Sequence, residues 1–154
     1  MLTRKKIFGI ILGVIWLIIL GLAVFSGAVQ TLTAKKELKK KDYYWKYIFN
    51  RDYFPGKQAD WQYDNFRFEI KSNDSIYFYV TEKEKILKTF RGKISTVKPW
   101  SSERLMIKME NPTHHIMTSN PTTYRSAWSF YLVFYSEKFK NVFFKKGQWK
   151  PLDK

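Results

Sequence analysis

No cysteine occurs anywhere in the chain. That excludes disulfides and thiolate metal sites, and it excludes a bacterial lipoprotein, whose lipid is carried on a cysteine at the cleavage site. Histidine is almost as scarce: His114 and His115 are the only two, and they are adjacent. Neighbouring side chains of an extended segment point to opposite faces, so this pair does not readily ligate one metal from a strand. Zinc would need a third ligand as well, and Glu110 is the nearest carboxylate. The signatures of P-loop, dinucleotide-binding, metalloprotease and nucleophile-elbow sites are all missing. The sequence therefore marks no catalytic residue, no metal and no cofactor, and it favours a role other than that of an enzyme.

Negative charge is also thin, with 13 Asp and Glu against 28 Lys and Arg and a net charge of +15. So basic a chain attracts anionic partners: lipid headgroups, acidic polymers or nucleic acid. Arginine is the minor cation, at positions 4, 51, 67, 91, 104 and 125. Lysine is a hydrated point charge, whereas arginine supplies the planar fork used to read base edges and phosphates. A lysine-dominated surface points to diffuse attraction to an anionic lipid or acidic polymer, with nucleic acid the least favoured of the three.

What the chain does have is one long uncharged run, Ile7 to Val29, preceded by Arg4-Lys5-Lys6. Its 23 residues suffice to cross a bilayer as a helix. A signal peptide also begins with positive charge, but its apolar core is shorter, about 7–15 residues. The length favours a retained, single-pass anchor, although Ser26-Gly27-Ala28 has the form of a cleavage motif. Gly9 and Gly13 form a G-x-x-x-G pair and Gly21 lies on the same helical face, a pattern that lets two such helices pack closely as a homodimer. Orientation draws opposing signals. Three basic residues precede the run, whereas Lys35, Lys36, Lys39, Lys40, Lys41 and Lys46 come after it, which by the positive-inside rule holds the domain in the cytoplasm. A short basic tail leading straight into an apolar run is the form of a signal anchor, and long domains translocate largely regardless of charge. The balance tips to a plasma (inner) membrane protein with its domain outside the cytoplasm.

Beyond the anchor about 120 residues remain, enough for one small domain. Of the 29 aromatic residues only Phe8, Trp16 and Phe25 lie in the apolar run, so the rest can build a core. The expected segments are a basic tail over 1–6, a transmembrane helix over 7–29, a basic juxtamembrane helix over 30–50 and a β-rich domain over 51–154. In the juxtamembrane segment Lys39, Lys40, Lys41 and Trp45 are candidates for a membrane interface, while Leu38, Trp45 and Phe49 at helical spacing suit packing on the domain. Pro55-Gly56 signals a turn. Phe66, Phe68 and Ile70, then Ile76, Phe78 and Val80, alternate with polar residues around Ser72-Asn73-Asp74-Ser75, the pattern of a hairpin. A second pair is expected at Ile86–Phe90 and Lys93–Val97 about Arg91-Gly92, a fifth strand at Leu105–Glu110, another over Ala127–Tyr135 and a final hairpin turning at Gly147. The fold class is thus a single-pass membrane protein: an N-terminal transmembrane helix plus a small α+β domain dominated by an antiparallel β-meander, as a twisted sheet or partly closed barrel.

The least regular stretch lies between the triplets Asn111-Pro112-Thr113 and Asn120-Pro121-Thr122, either of which can open a short helix. Its polar residues make His114, His115, Tyr124 and Arg125 the candidate ligand-binding group, against the simpler reading of a crossover that redirects the chain. The leading functional expectation is a membrane-anchored binding or assembly module whose basic domain works near an anionic membrane surface or envelope polymer. The alternatives are a small-ligand carrier or enzyme that uses the interior of a curved sheet, and a nucleic-acid-binding membrane protein.

Overall fold

A computed structural model describes residues 4–53 and 55–152, and for Lys5 the backbone only. The chain forms two compact units, one through Lys35 and the other from Lys36 onward. The first is a single helix, α1 (Arg4–Thr33). Its 30 residues are long and apolar enough to cross a membrane, a property that a signal sequence near an N-terminus shares. In its last turns Thr31 Oγ1 and Thr33 Oγ1 donate back to the carbonyls of Gly27 and Val29, at 2.6 and 2.7 Å. Gly9, Gly13 and Gly21 are exposed, and a Cβ added at any of them would meet nothing within 4 Å. Residues 1–3 of the expected basic tail lie outside the described residues.

The second unit is an antiparallel meander of eight strands: β1 (Trp45–Phe49), β2 (Phe66–Ile70), β3 (Ser75–Glu82), β4 (Lys85–Val97), β5 (Arg104–Met109), β6 (Thr122–Arg125), β7 (Phe130–Ser136) and β8 (Lys140–Lys146). Every strand except β5 and β6 pairs on both sides, and the first and last strands pair with each other, Phe49 opposite Phe144. The sheet therefore curls into a nearly closed barrel whose one seam lies between β5 and β6. Alternation sends one face of each strand inward. Tyr47, Phe68, Phe78 and Phe90 stand opposite one another across β1 to β4, and Phe144 and Leu132 do so across β8 and β7. Tyr47 stacks on Phe68 at 4.5 Å, and Phe68 meets Phe134 and Phe144 edge-on at 5.7 and 5.0 Å. Rings of this size fill a small eight-stranded barrel across its width.

Both ends are closed by irregular segments. At one end a helix, α2 (Lys57–Asn65), starts at Gly56, whose φ of 120° suits glycine, and buries Ala59, Gln62 and Tyr63. At the other end the second unit begins with the extended residues 36–39 and makes a 3-10 turn at Lys40–Tyr43, burying Leu38 and Tyr43. The basic helix expected over 30–50 is therefore corrected: α1 runs on to Thr33 and gives way to an extended segment, one 3-10 turn and β1. Tyr47 and Phe49 alternate inward against Lys46 and Ile48, and pairing with β2 and β8 outweighs the helix preference of the lysines before them.

Two other expectations are also corrected. Arg91-Gly92 is not a turn but the middle of the 13-residue β4, where a Cβ on Gly92 would sit 2.6 Å from the Lys108 carbonyl oxygen. The glycine is there because β5 crosses close by. The β3–β4 turn falls instead at Lys83-Glu84, with Lys83 at φ 53°. Gly147 turns no hairpin: β8 ends at Lys146, and Gly147 N–H donates to the Lys46 carbonyl beside β1. The hairpin about residues 72–75 forms, the strand expected over 105–110 forms as β5 (Arg104–Met109), and the one expected over 127–135 forms as β7 (Phe130–Ser136).

Candidate functional site

The four residues singled out for ligand binding separate into two places. His114 and His115 belong to the irregular crossover between β5 and β6, with a 3-10 turn at His115–Met117. Ile116 and Met117 are buried in the core, and the His114 ring lies 4.8 Å from Phe78 and 5.4 Å from both Phe66 and Phe90. Its Nδ1 accepts the Ile116 N–H at 3.3 Å. Burial, with the neighbouring His115, Lys88 and Lys138, lowers its pKa to about 4. His115 Nδ1 lies 2.9 Å from the buried Ser136 Oγ, and burial together with Lys138 lowers its pKa too. Both imidazoles are thus biased to the neutral form as part of the end closure. No three His, Cys, Asp or Glu among the described residues are placed to hold a metal ion.

Tyr124 and Arg125 lie on β6 and line a groove of about 580 Å3 on the outside of the barrel. The other walls are Lys36 of the entry segment, Tyr53 of the 3-10 turn after β1, Trp128 and Ser129 of the β6–β7 turn, Tyr131 of β7, and Lys145 and Lys146 of β8. A row of rings runs across the strands. Tyr124 stacks on Tyr131 at 5.1 Å, Tyr131 lies 5.0 Å from Tyr53, and Tyr53 stacks on Phe143 at 4.6 Å. The hydrogen bond that the Tyr131 hydroxyl donates to Tyr53, with some burial and the charges of its neighbours, pushes it up to about 12, so it stays protonated.

The cations differ in how committed they are. Lys145 Nζ is paired with Asp52 at 2.7 Å, Lys36 with Asp42 at 3.4 Å, and Arg125 Nη1 donates to the Lys36 carbonyl at 3.1 Å. Lys146 lies 5.0 Å over the Phe130 ring and 5.9 Å over Trp45, with no carboxylate within ion-pair distance among the described residues. Burial and the nearby Lys36 lower its pKa, which is the condition of a cation an anion would relieve. Asp52, the one carboxylate of the groove among the described residues, is held by Lys145. Stacking faces beside cations can bind an anionic ring-bearing chain, and nothing in the groove is arranged as an acid–base pair.

Tyr53, Tyr131, Lys145 and Lys146 were not apparent from the sequence, because strands far apart along the chain bring them together. Only the outward alternation of Tyr131 and Lys145 was legible there. Of the membrane-interface candidates, Lys39, Lys41 and Trp45 are exposed, whereas Lys40 is paired with Asp74, which also accepts from the Tyr44 hydroxyl at 2.8 Å. In fold the described chain is an apolar N-terminal helix followed by a filled, nearly closed up-and-down sheet of eight strands. No protein family, no curated protein and no solved structure matches it.

Proposed function

We propose that the chain is a single-pass, membrane-anchored binding or assembly module, whose barrel holds an anionic partner at a membrane surface or in the envelope around it. The observation that carries this reading is the outer groove. It sets Tyr124, Tyr131 and Tyr53 beside Lys36, Arg125 and Lys146, on a barrel whose interior is packed with rings. A carrier or enzyme using the interior needs room there, and Tyr47, Phe68, Phe78, Phe134 and Phe144 occupy it with 1% exposure or less. The net charge of +15 draws an acidic partner to the outside instead. The groove's stacked rings also suit single-stranded nucleic acid, which makes that the second reading.

The test is binding of dextran sulfate to the full chain held in nanodiscs of zwitterionic lipid, with neutral dextran as control. Binding that weakens steeply between low and moderate salt, and several-fold further in Lys146→Gln or Tyr124→Ala, supports the reading. Absence of binding at low salt overturns it. Preference for a single-stranded oligonucleotide over dextran sulfate at equal charge selects the nucleic-acid reading.

A further inference from the structure

Three of the four exposed tryptophans of the described barrel residues stand at one end, and the fourth, Trp61 in α2 at the other end, is 48% exposed. Trp100 is 81% exposed, Trp128 78% and Trp45 54%. Trp100 stands in the turn between β4 and β5, Trp128 in the turn between β6 and β7, and Trp45 at the first residue of β1. All three mark the end at which the chain enters the barrel. At that end Lys36 N–H bonds the Ser126 carbonyl beside Trp128 (2.9 Å), and Leu38 N–H bonds Ser102 Oγ beside Trp100 (3.0 Å).

The Trp128 turn is braced for presentation. Ser126 N–H bonds the Ser129 carbonyl at 2.8 Å, and Ser129 N–H bonds Ser126 Oγ at 3.0 Å. Neither Trp100 nor Trp128 makes a ring contact among the described residues, whereas Trp61, at the opposite end, packs on Phe66 and Phe139. Two large apolar rings held in water cost free energy unless something covers them. The surroundings say what that cover is. Lys39, Lys41 and Lys98 are exposed at the same end and have no ion-pair partner among the described residues. Tryptophan and lysine together are the pairing of the bilayer interface: the indole sits at headgroup depth, and the ammonium meets lipid phosphate. The tether agrees. From Thr33, the last residue of α1, to Lys36, the first tied into the barrel, is a covalent path of at most about 10 Å.

We propose that the entry end of the barrel, with Trp100 and Trp128 as its two apolar tips and Lys39, Lys41 and Lys98 around them, docks onto the headgroup layer of an anionic bilayer. This rests on the reading of the chain as membrane-anchored, and it adds the surface and the partner: phospholipid rather than polymer.

Because the chain has no cysteine, one introduced cysteine carries one spin label. Ser101→Cys reports from beside Trp100, and Lys85→Cys reports from the first residue of β4, next to the β3–β4 turn at the opposite end. Both variants of the full chain go into nanodiscs containing phosphatidylglycerol, and collisions are compared between lipid-soluble oxygen and an aqueous nickel chelate. The expected result is a label at 101 protected from nickel and open to oxygen, with the label at 85 the reverse. The protection at 101 should be lost in a Trp100→Ala/Trp128→Ala background and reduced in purely zwitterionic nanodiscs. Equal nickel access at 101 and 85 overturns the docking. Dextran sulfate binding measured on the same samples separates the two ideas: if it persists while 101 is open to nickel, the anionic-partner reading stands and the lipid dock falls. If the rim instead binds dextran sulfate while lipid leaves 101 unprotected, its partner is polymer and the proposal is wrong.

Discussion

His114 sits among Phe66, Phe78 and Phe90, and the charged or titratable groups acting on it, His115, Lys88 and Lys138, are cations or become so. Its pKa is about 4 in the folded chain against about 6.5 for a free imidazole. Between those values the unfolded chain binds more protons than the folded one, so stability falls as the pH drops through that window and is restored above it. The full linkage is about 3 kcal/mol, and solvent screening of this half-exposed ring reduces it to about 1–2 kcal/mol. The expected outcome is a denaturant midpoint that declines from pH 7 to pH 4 in the parent chain and flattens in His114→Phe, read from near-ultraviolet circular dichroism. A midpoint with the same pH slope in both proteins would show that the titration lies elsewhere. From the sequence alone His114 was one of two adjacent donors in a polar loop. Its burial depends on rings from β2, β3 and β4, which no local pattern around Asn111–Asn120 announces.

At the scale of elements, the entry segment does for the seam what a ninth strand would do. Lys36 bonds Ser126 through its N–H and accepts from Arg125, while Leu38 bonds Ser102 and accepts the Glu103 N–H at 2.8 Å. Farther along the seam Asn120 Oδ1 accepts the Ile107 N–H at 2.7 Å. Leu38 is buried to 1% exposure, so Leu38→Ala should cost about 2–5 kcal/mol. The loss should appear first as faster hydrogen exchange in β5 and β6, with β1 to β3 still protected. Uniform acceleration across the barrel would show that the segment does not act on the seam. The hairpin of β2 and β3 and the alternation of β5 were legible because each strand carries its own period-two pattern and turn residues. The strand β1 was not, since Lys35 to Asp42 reads as helix former and only the partners β2 and β8 make the next residues a strand. The helix α2 was missed for a related reason: the buried positions Ala59, Gln62 and Tyr63 have helical spacing, but the polar Gln62 among them breaks the apolar pattern.

At the scale of the whole molecule, with α1 as the proposed anchor, the side of the membrane given to the barrel decides which partners it can meet, and the charge count alone points both ways. Arg4, Lys5 and Lys6 precede the apolar run, while six lysines come after it by position 46. The rule that keeps the more basic flank in the cytoplasm acts on the chain during insertion, before Lys36 and Lys40 reach Asp42 and Asp74. One feature favours export: a domain the size of this barrel translocates largely regardless of its charge. The absence of cysteine again makes the measurement clean. Lys85→Cys, at the exposed first residue of β4, is treated in intact cells with a membrane-impermeant maleimide. Labelling without permeabilisation is expected, and it would put the Tyr124–Tyr131–Tyr53 groove among envelope polymers and outer-leaflet headgroups. Labelling only after permeabilisation would place the same groove in the cytoplasm. There nucleic acid becomes the anionic chain its rings and lysines have to be tested against first.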